Sequence, residues 1–309
     1  MGTENAMKRF VCIFLICILL VGCAGGGRVQ RQIWAMDTYM SLEIWGADAQ
    51  SASEKLEDML YTMEKDWSVT EPDSVIHNPK RANEQQKTFL QEVENLSIRT
   101  GGCFDPYLGS LTQVWGFLTK QYRVPSPEEI ALALQDKQLD LGGAVKGYAA
   151  RQAVEILENA RIDRALLNLG GNIQTYGNKA DGSPWNIGIQ NPDGGELAAT
   201  IQVEGTWAVV TSGDYQRYFE HAGKRYHHIF DPATGYPAQT DLRSVTVICA
   251  DGLTADVLST ALFAMGSEKA AAFWRSSDDF EAVLILADGS IQATQGAKLT
   301  DCKYEVIHR

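Results

Sequence analysis

Two hydrophobic periods alternate along the chain. Met40, Leu42 and Ile44 fall on every second residue, so Thr38–Trp45 is predicted as a strand with one buried face. Leu56, Met59, Leu60 and Met63 recur at helical spacing, and that helix should end near Trp67. A polar loop rich in Pro and Asn, residues 70–83, leads to a second helix carrying Phe89, Val93 and Leu96, which Gly101-Gly102 stops. Ser126-Pro127-Glu128-Glu129 reads as a helix start, with Ser as cap, Pro at the first position and Glu three residues on. A further helix should run from about Lys146 to Asn159 with Ala149, Ala153, Ile156 and Leu157 inward.

From Ala165 the pattern turns mostly to strands: 165–169, 173–176, 185–189, 200–203 and 207–211. Cys249, closing the run Val245–Cys249, reads as a buried strand residue. Helices around 255–265 and 268–274 interrupt this, and Asp288-Gly289 turns a hairpin between 283–286 and 291–294. Helices and strands mix without strict βαβ alternation. The expected class is therefore α+β, with largely antiparallel sheets flanked by helices.

The N-terminus changes the picture. Lys8 and Arg9 precede an apolar run from Phe10 to Val21, too short for the ~20 residues of a spanning helix but suited to a secretory leader. Leu20-Val21-Gly22-Cys23 resembles a bacterial lipobox, with Cys23 as the lipidated first residue of the mature chain. The reading is a signal peptide over 1–22, a flexible tether over 23–32 that includes Gly25–Gly27, and a folded domain over 33–309. That domain would be membrane-anchored on the extracytoplasmic side. Beyond Cys23 only Cys103, Cys249 and Cys302 remain, an odd number without metal-ligand spacing, which is no disulfide framework. A net charge of -12 argues against nonspecific nucleic-acid binding, which needs Lys and Arg against phosphates.

Several short motifs carry candidate chemistry. Asp256 and Thr260 lie four apart, one turn on one helix face, and a carboxylate with a hydroxyl suits a hard cation such as Mg²⁺. An Asp near a helix start is more often just a cap or a dipole partner, and alone that reading is favoured. In Asp140-Leu141-Gly142-Gly143-Ala144-Val145-Lys146-Gly147 two glycines would let backbone approach a ligand at a helix head, with Lys146 adding charge for a phosphate. A plain glycine turn with a solvated Lys fits as well. His227-His228-Ile229-Phe230-Asp231-Pro232-Ala233-Thr234-Gly235 joins strong turn chemistry to a histidine able to take a proton near neutrality. Either histidine could also be an ordinary strand residue.

Taken in order, the segments Met36-Asp37-Thr38, Phe104-Asp105-Pro106, Trp115-Gly116-Phe117, 140–148, 168–172, 211–215, 228–235 and 255–260 resemble the ApbE family of FAD:protein FMN transferases. They are colinear with that family over about residues 33–266. The resemblance implies metal ligation by the carbonyl of Gly143 and the side chains of Asp256 and Thr260, for Mg²⁺ or another divalent cation. It implies FAD contacts at Met36, Cys103, Phe104, Asp105, Asp140, Lys146 and Phe230. His228 matches the histidine before the family's Asp-Pro turn and is the candidate base. The implied reaction moves FMN from FAD to a Ser or Thr hydroxyl of an acceptor protein and releases AMP. The alternatives are a metal-dependent FAD pyrophosphatase and a lipoprotein that binds FAD without turnover. Asp37 replaces a usual glycine, Thr70 a usual aromatic that would stack on flavin, and Ser259 stands where some relatives add a carboxylate. Only four residues separate Gln135 from Asp140, where relatives carry a longer segment.

Overall fold

The computed structural model describes residues 27–309, so the expected leader over 1–22 and Cys23 lie outside the described residues. Elements follow in the order β1 (Arg28–Ala35), β2 (Thr38–Gly46), α1 (Ala49–Asp66), α2 (Glu84–Arg99), α3 (Gly109–Val114), α4 (Pro127–Gln135) and α5 (Val145–Glu158). Then come β3 (Ile162–Leu169), β4 (Asn172–Tyr176), β5 (Trp185–Gln190), β6 (Leu197–Val203), β7 (Ala208–Gly213), β8 (Tyr218–His221), β9 (Lys224–His227) and β10 (Leu242–Cys249). The chain closes with α6 (Gly252–Met265), α7 (Ser267–Arg275), β11 (Phe280–Leu286), β12 (Ile291–Thr294), β13 (Leu299–Thr300) and β14 (Glu305–Ile307).

Nine strands form one sheet in the order β1-β2-β3-β4-β7-β10-β11-β12-β14, antiparallel except for the β12–β14 pair. The α+β expectation therefore holds. One face of the sheet packs on helices: Met40, Leu42, Ile44 and Leu167 meet Leu56, Leu60, Phe89, Ala149 and Leu253, while Val210, Val245 and Leu284 meet Leu258, Leu262 and Trp274. The other face carries the small sheet β13-β6-β5, whose Trp185, Ile187 and Ile201 close on Val209, Ile248 and Val283. Cys249 is buried in β10, as expected.

Two elements depart from the sequence reading. Residues 28–32, expected as tether, belong to strand β1 and pair with β2 from Arg28↔Trp45 to Ala35↔Thr38. Its inward positions are Val29, Arg31, Ile33 and Ala35, so a charge interrupts the apolar alternation. That charge is satisfied by α1: Arg31 Nε donates to Ser53 Oγ at 2.9 Å, and its guanidinium pairs with Glu57. The hairpin β8–β9 was also not foreseen, because its four-residue strands are polar and largely exposed. Its turn, Ala222-Gly223, takes left-handed backbone at both residues.

Candidate active site

The site grows from one close helix crossing. Helix α6 is buried almost all round, with Leu253, Ala255, Val257, Leu258 and Leu262 inside, so it lies between sheet and helices rather than at the surface. Asp256 sits in that helix and is only 3% exposed. Helix α5 can approach because Gly147 has no side chain: a Cβ there would stand 2.3 Å from Gly252 O and 2.5 Å from Asp256 Cβ. At this contact the Gly147 N–H donates to Asp256 Oδ2 at 2.8 Å. A buried carboxylate demands such donors or a cation.

One turn along α6, Thr260 Oγ1 meets the loop that opens α5. A Cβ on Gly143 would lie 3.1 Å from Thr260 Oγ1 and 3.1 Å from the Phe104 ring, so only glycine leaves its backbone open here. Gly143, Asp256 and Thr260, 113 to 117 residues apart in sequence, are thus brought to one corner. Ser212 on β7 joins them, its hydroxyl 2.8 Å from Ser259 Oγ and 3.3 Å from Thr260 Oγ1. Ser259 is fully buried and donates to Asp256 O at 2.8 Å, so it braces the helix from inside. The corner holds the Asp256 carboxylate and the Thr260 hydroxyl beside the Gly143 backbone, and carboxylate, hydroxyl and carbonyl oxygens are the hard donors that a cation of the Mg²⁺ type takes.

The loop entering α5 is pinned at Asp140. Asp140 accepts from Thr112 Oγ1 at 2.6 Å and from Gly142 N at 2.9 Å, and its own N–H donates to Pro106 O at 2.7 Å. These bonds tie it to the Phe104-Asp105-Pro106 turn. Asp105 caps that turn by accepting from Tyr107 N at 2.8 Å and pairs with Lys137 at 2.9 Å. No side chain caps the N-terminus of α5, and Lys146 in its first turn reaches only Gly142 O at 3.2 Å. In that turn the Val145 N–H donates to Leu141 O and the Gly147 N–H to Asp256 Oδ2, which leaves the backbone N–H and ammonium of Lys146 as the donors suited to a phosphate. Met36 and Cys103 are half-buried against the same core, and Met36 N donates to Glu64 at 3.0 Å.

The histidine side is built from aromatics. Trp115, Phe117, Phe219, Tyr226 and Phe230 form a continuous cluster, with Tyr122 stacked on Phe219 and Phe219 on Tyr226. Phe230 is buried in that cluster, so its ring builds the wall rather than an open face. His228 lies at the edge of the cluster, its ring centre 6.3 Å from that of Phe117. Its Nδ1 is 3.2 Å from Arg217 O, and its backbone N–H donates to the same oxygen at 3.1 Å. Desolvation, then the charge of Arg217, pushes its pKa down to about 3, so the imidazole is neutral at physiological pH. Its neighbour His227 is buried and lowered by desolvation, with Nε2 on Ala238 O at 3.1 Å, which makes it the structural member of the pair.

Two features bear on the sequence reading. Thr70 is exposed and holds only Ser68, while Trp67, the nearest ring in sequence, is 7% exposed and packs edge-on against Phe89. Trp67 is therefore committed to the core and does not stand in for the missing ring. Sequence reasoning missed Thr112, Ser212 and Arg217, whose roles come from contacts across 28 to 48 residues, or from a backbone oxygen, and leave no spacing signal. Two surface grooves, of about 270 and 400 Å³, open beside Arg243 and beside Arg275, and neither includes a residue of this site. Donor chemistry rather than cavity size identifies it.

The model of the ApbE family matches residues 36–284. The chain is 31% identical to an FAD:protein FMN transferase of Treponema pallidum, over 91% of this chain and 92% of that protein. It is 34% identical to one from Klebsiella pneumoniae over 71% and 76% of the two chains. Among solved structures, an ApbE protein from Thermotoga maritima superposes with a TM-score of 0.79 at 30% identity, covering 87% of this chain and 97% of that one. The apo form of a flavinyl transferase ApbE from Pseudomonas stutzeri gives 0.74 at 28% identity, covering 90% and 95%. With the family model, the relatives' identity and the fold in agreement, the chain belongs to the ApbE family.

Proposed function

We propose that this protein transfers the FMN half of FAD to a Ser or Thr hydroxyl of an acceptor protein and releases AMP. The observation that carries the reading is the meeting of Asp256 on α6 with Gly147 in the first turn of α5, and of Thr260 with the Gly143 loop, beside Lys146. Relatives bearing the name FAD:protein FMN transferase support it over most of the chain. A divalent cation held by those three residues would neutralise charge developing on the pyrophosphate. The backbone N–H and ammonium of Lys146, in the first turn of α5, orient the phosphates. Asp140 and Asp105 shape the loops that receive FAD, with Met36, Cys103, Phe104 and Phe230 completing the walls.

His228 accepts the proton of the acceptor hydroxyl. The hydroxyl oxygen forms a bond to the FMN phosphorus, the bond from that phosphorus to the bridging oxygen breaks, and AMP departs with that oxygen. Cys23 is proposed to carry a lipid that anchors the enzyme to the bacterial cell membrane on its extracytoplasmic side.

The test is AMP release from FAD, with Mg²⁺ or with chelator, in the presence and absence of a Ser/Thr-bearing acceptor. Transfer predicts AMP in step with acceptor modification and none with chelator. AMP released at the same rate without acceptor would identify a pyrophosphatase instead. FAD binding without AMP in any condition would identify a carrier.

A further inference from the structure

Asp37 is placed by the two-residue turn between β1 and β2, in which Met36 and Asp37 both take left-handed backbone, with φ of 53° and 56°. It also bridges two cations from different segments: Lys120 Nζ donates to Oδ1 at 3.1 Å and Arg217 Nη2 to Oδ2 at 2.9 Å. Lys120 follows the Trp115-Gly116-Phe117 turn, and Arg217 precedes β8, so the β1–β2 turn is tied to both walls of the histidine side.

We propose that Asp37 is a positioning residue for the candidate base: through Arg217 it holds the His228 ring with Nδ1 protonated and Nε2 left as the proton acceptor. The inference rests on the reading of His228 as base. Its geometry is direct. The Arg217 carbonyl faces both the His228 backbone N–H and Nδ1, and a carbonyl oxygen can only accept. Nδ1 therefore carries the proton of the neutral ring, and Nε2 carries the lone pair. Whatever fixes Arg217 fixes that tautomer.

Asp37 also balances charge. The charges that act on His228 are those of Arg217 from the segment before β8, His227 from β9 and Lys146 from α5, and each disfavours the protonated ring, while the hydrogen bond to the Arg217 carbonyl favours it. Asp37 is the carboxylate paired with Arg217. Without it the full guanidinium charge faces the imidazole, and Arg217 is free to turn away. The pair is half-exposed, so the expected effect is roughly two- to fivefold, the range of surface ion pairs.

The experiment compares wild type, Asp37→Gly, Asp37→Glu and His228→Ala in single-turnover FMN transfer, with melting temperatures and nitrogen-15 NMR of the histidine rings. Asp37→Gly should slow transfer and give His228 as a mixture of tautomers, while its melting temperature holds because glycine relaxes the left-handed backbone. Asp37→Glu should recover part of the rate. A wild-type rate and a single tautomer in Asp37→Gly, with His228→Ala still slow, overturn the inference and leave the base reading intact. Rate and melting temperature falling together, without recovery by Glu, would make Asp37 merely structural and also overturn it. His228→Ala transferring at the wild-type rate removes the base reading itself.

Discussion

Gly147→Ala tests the helix crossing on which the proposed cation site depends. The added Cβ would stand 2.3 Å from Gly252 O and 2.5 Å from Asp256 Cβ, against the roughly 3.5 Å of ordinary contact. Both neighbours are rigid, one a backbone carbonyl and the other the Cβ of a buried helix residue, so α5 and α6 must part by about 1 Å. Overpacking of this kind costs about 1–3 kcal/mol. Parting the helices also stretches the 2.8 Å bond from Gly147 N–H to the Asp256 carboxylate, and hydrogen bonds to charged groups contribute about 1.5–3 kcal/mol. The two effects share one displacement and do not add fully, giving about 2–4 kcal/mol and a melting temperature lower by roughly 5–15 °C. Differential scanning calorimetry reads the stability, and a Mg²⁺ titration of AMP release reads the site, which should need more metal as Asp256 shifts. A variant with wild-type melting temperature and an unchanged Mg²⁺ midpoint would refute the reasoning.

Other consequences follow from the same geometry. Thr70→Tyr should tighten FAD binding by about 1–3 kcal/mol, because no ring is supplied by the buried Trp67, and fluorescence titration of FAD measures it; an unchanged dissociation constant means flavin does not pass Thr70. The rate should not fall as pH drops through 6.5, since a His228 pKa near 3 keeps the base unprotonated, and a pH–rate profile with an acid limb at 6.5 contradicts that. The same shift acts on stability: the unfolded histidine gains a proton below 6.5 while the native one does not, so stability is lost as pH falls from 6.5 toward 3. Denaturant midpoints of wild type against His228→Asn across that window should converge at low pH. Cys23→Ser should release the protein from membranes or block its processing, and an unchanged mature mass and membrane fraction would sink the lipid assignment.

The sequence made much of the fold readable because long elements follow their periods. Leu56, Leu60 and Met63 mark α1, and the Ser126-Pro127-Glu129 cap marks α4 with both capping-box bonds in place. Asp256 and Thr260 stand out in the sequence for a different reason, their spacing of one helical turn, whereas the Gly143 carbonyl enters only through the family resemblance. What was not legible depends on contacts that leave no local trace. Arg31 hides β1 by placing a charge inside, and only the side chains of α1 make that tolerable. The β8–β9 strands are too short and polar to show a period. The tautomer of His228 depends on a carbonyl 11 residues away, and no residue pattern encodes a backbone oxygen. Trp67 lies three residues from Thr70 yet is buried against Phe89, and sequence distance says nothing of that burial.

The central claim is tested most directly by the mass of an acceptor incubated with this protein, FAD and Mg²⁺. The account predicts one FMN added through a phosphoester to a Ser or Thr, one AMP released per modified acceptor, and loss of both with Asp256→Ala or chelator. An acceptor of unchanged mass while FAD is consumed, or full modification by Asp256→Ala under chelation, would contradict it.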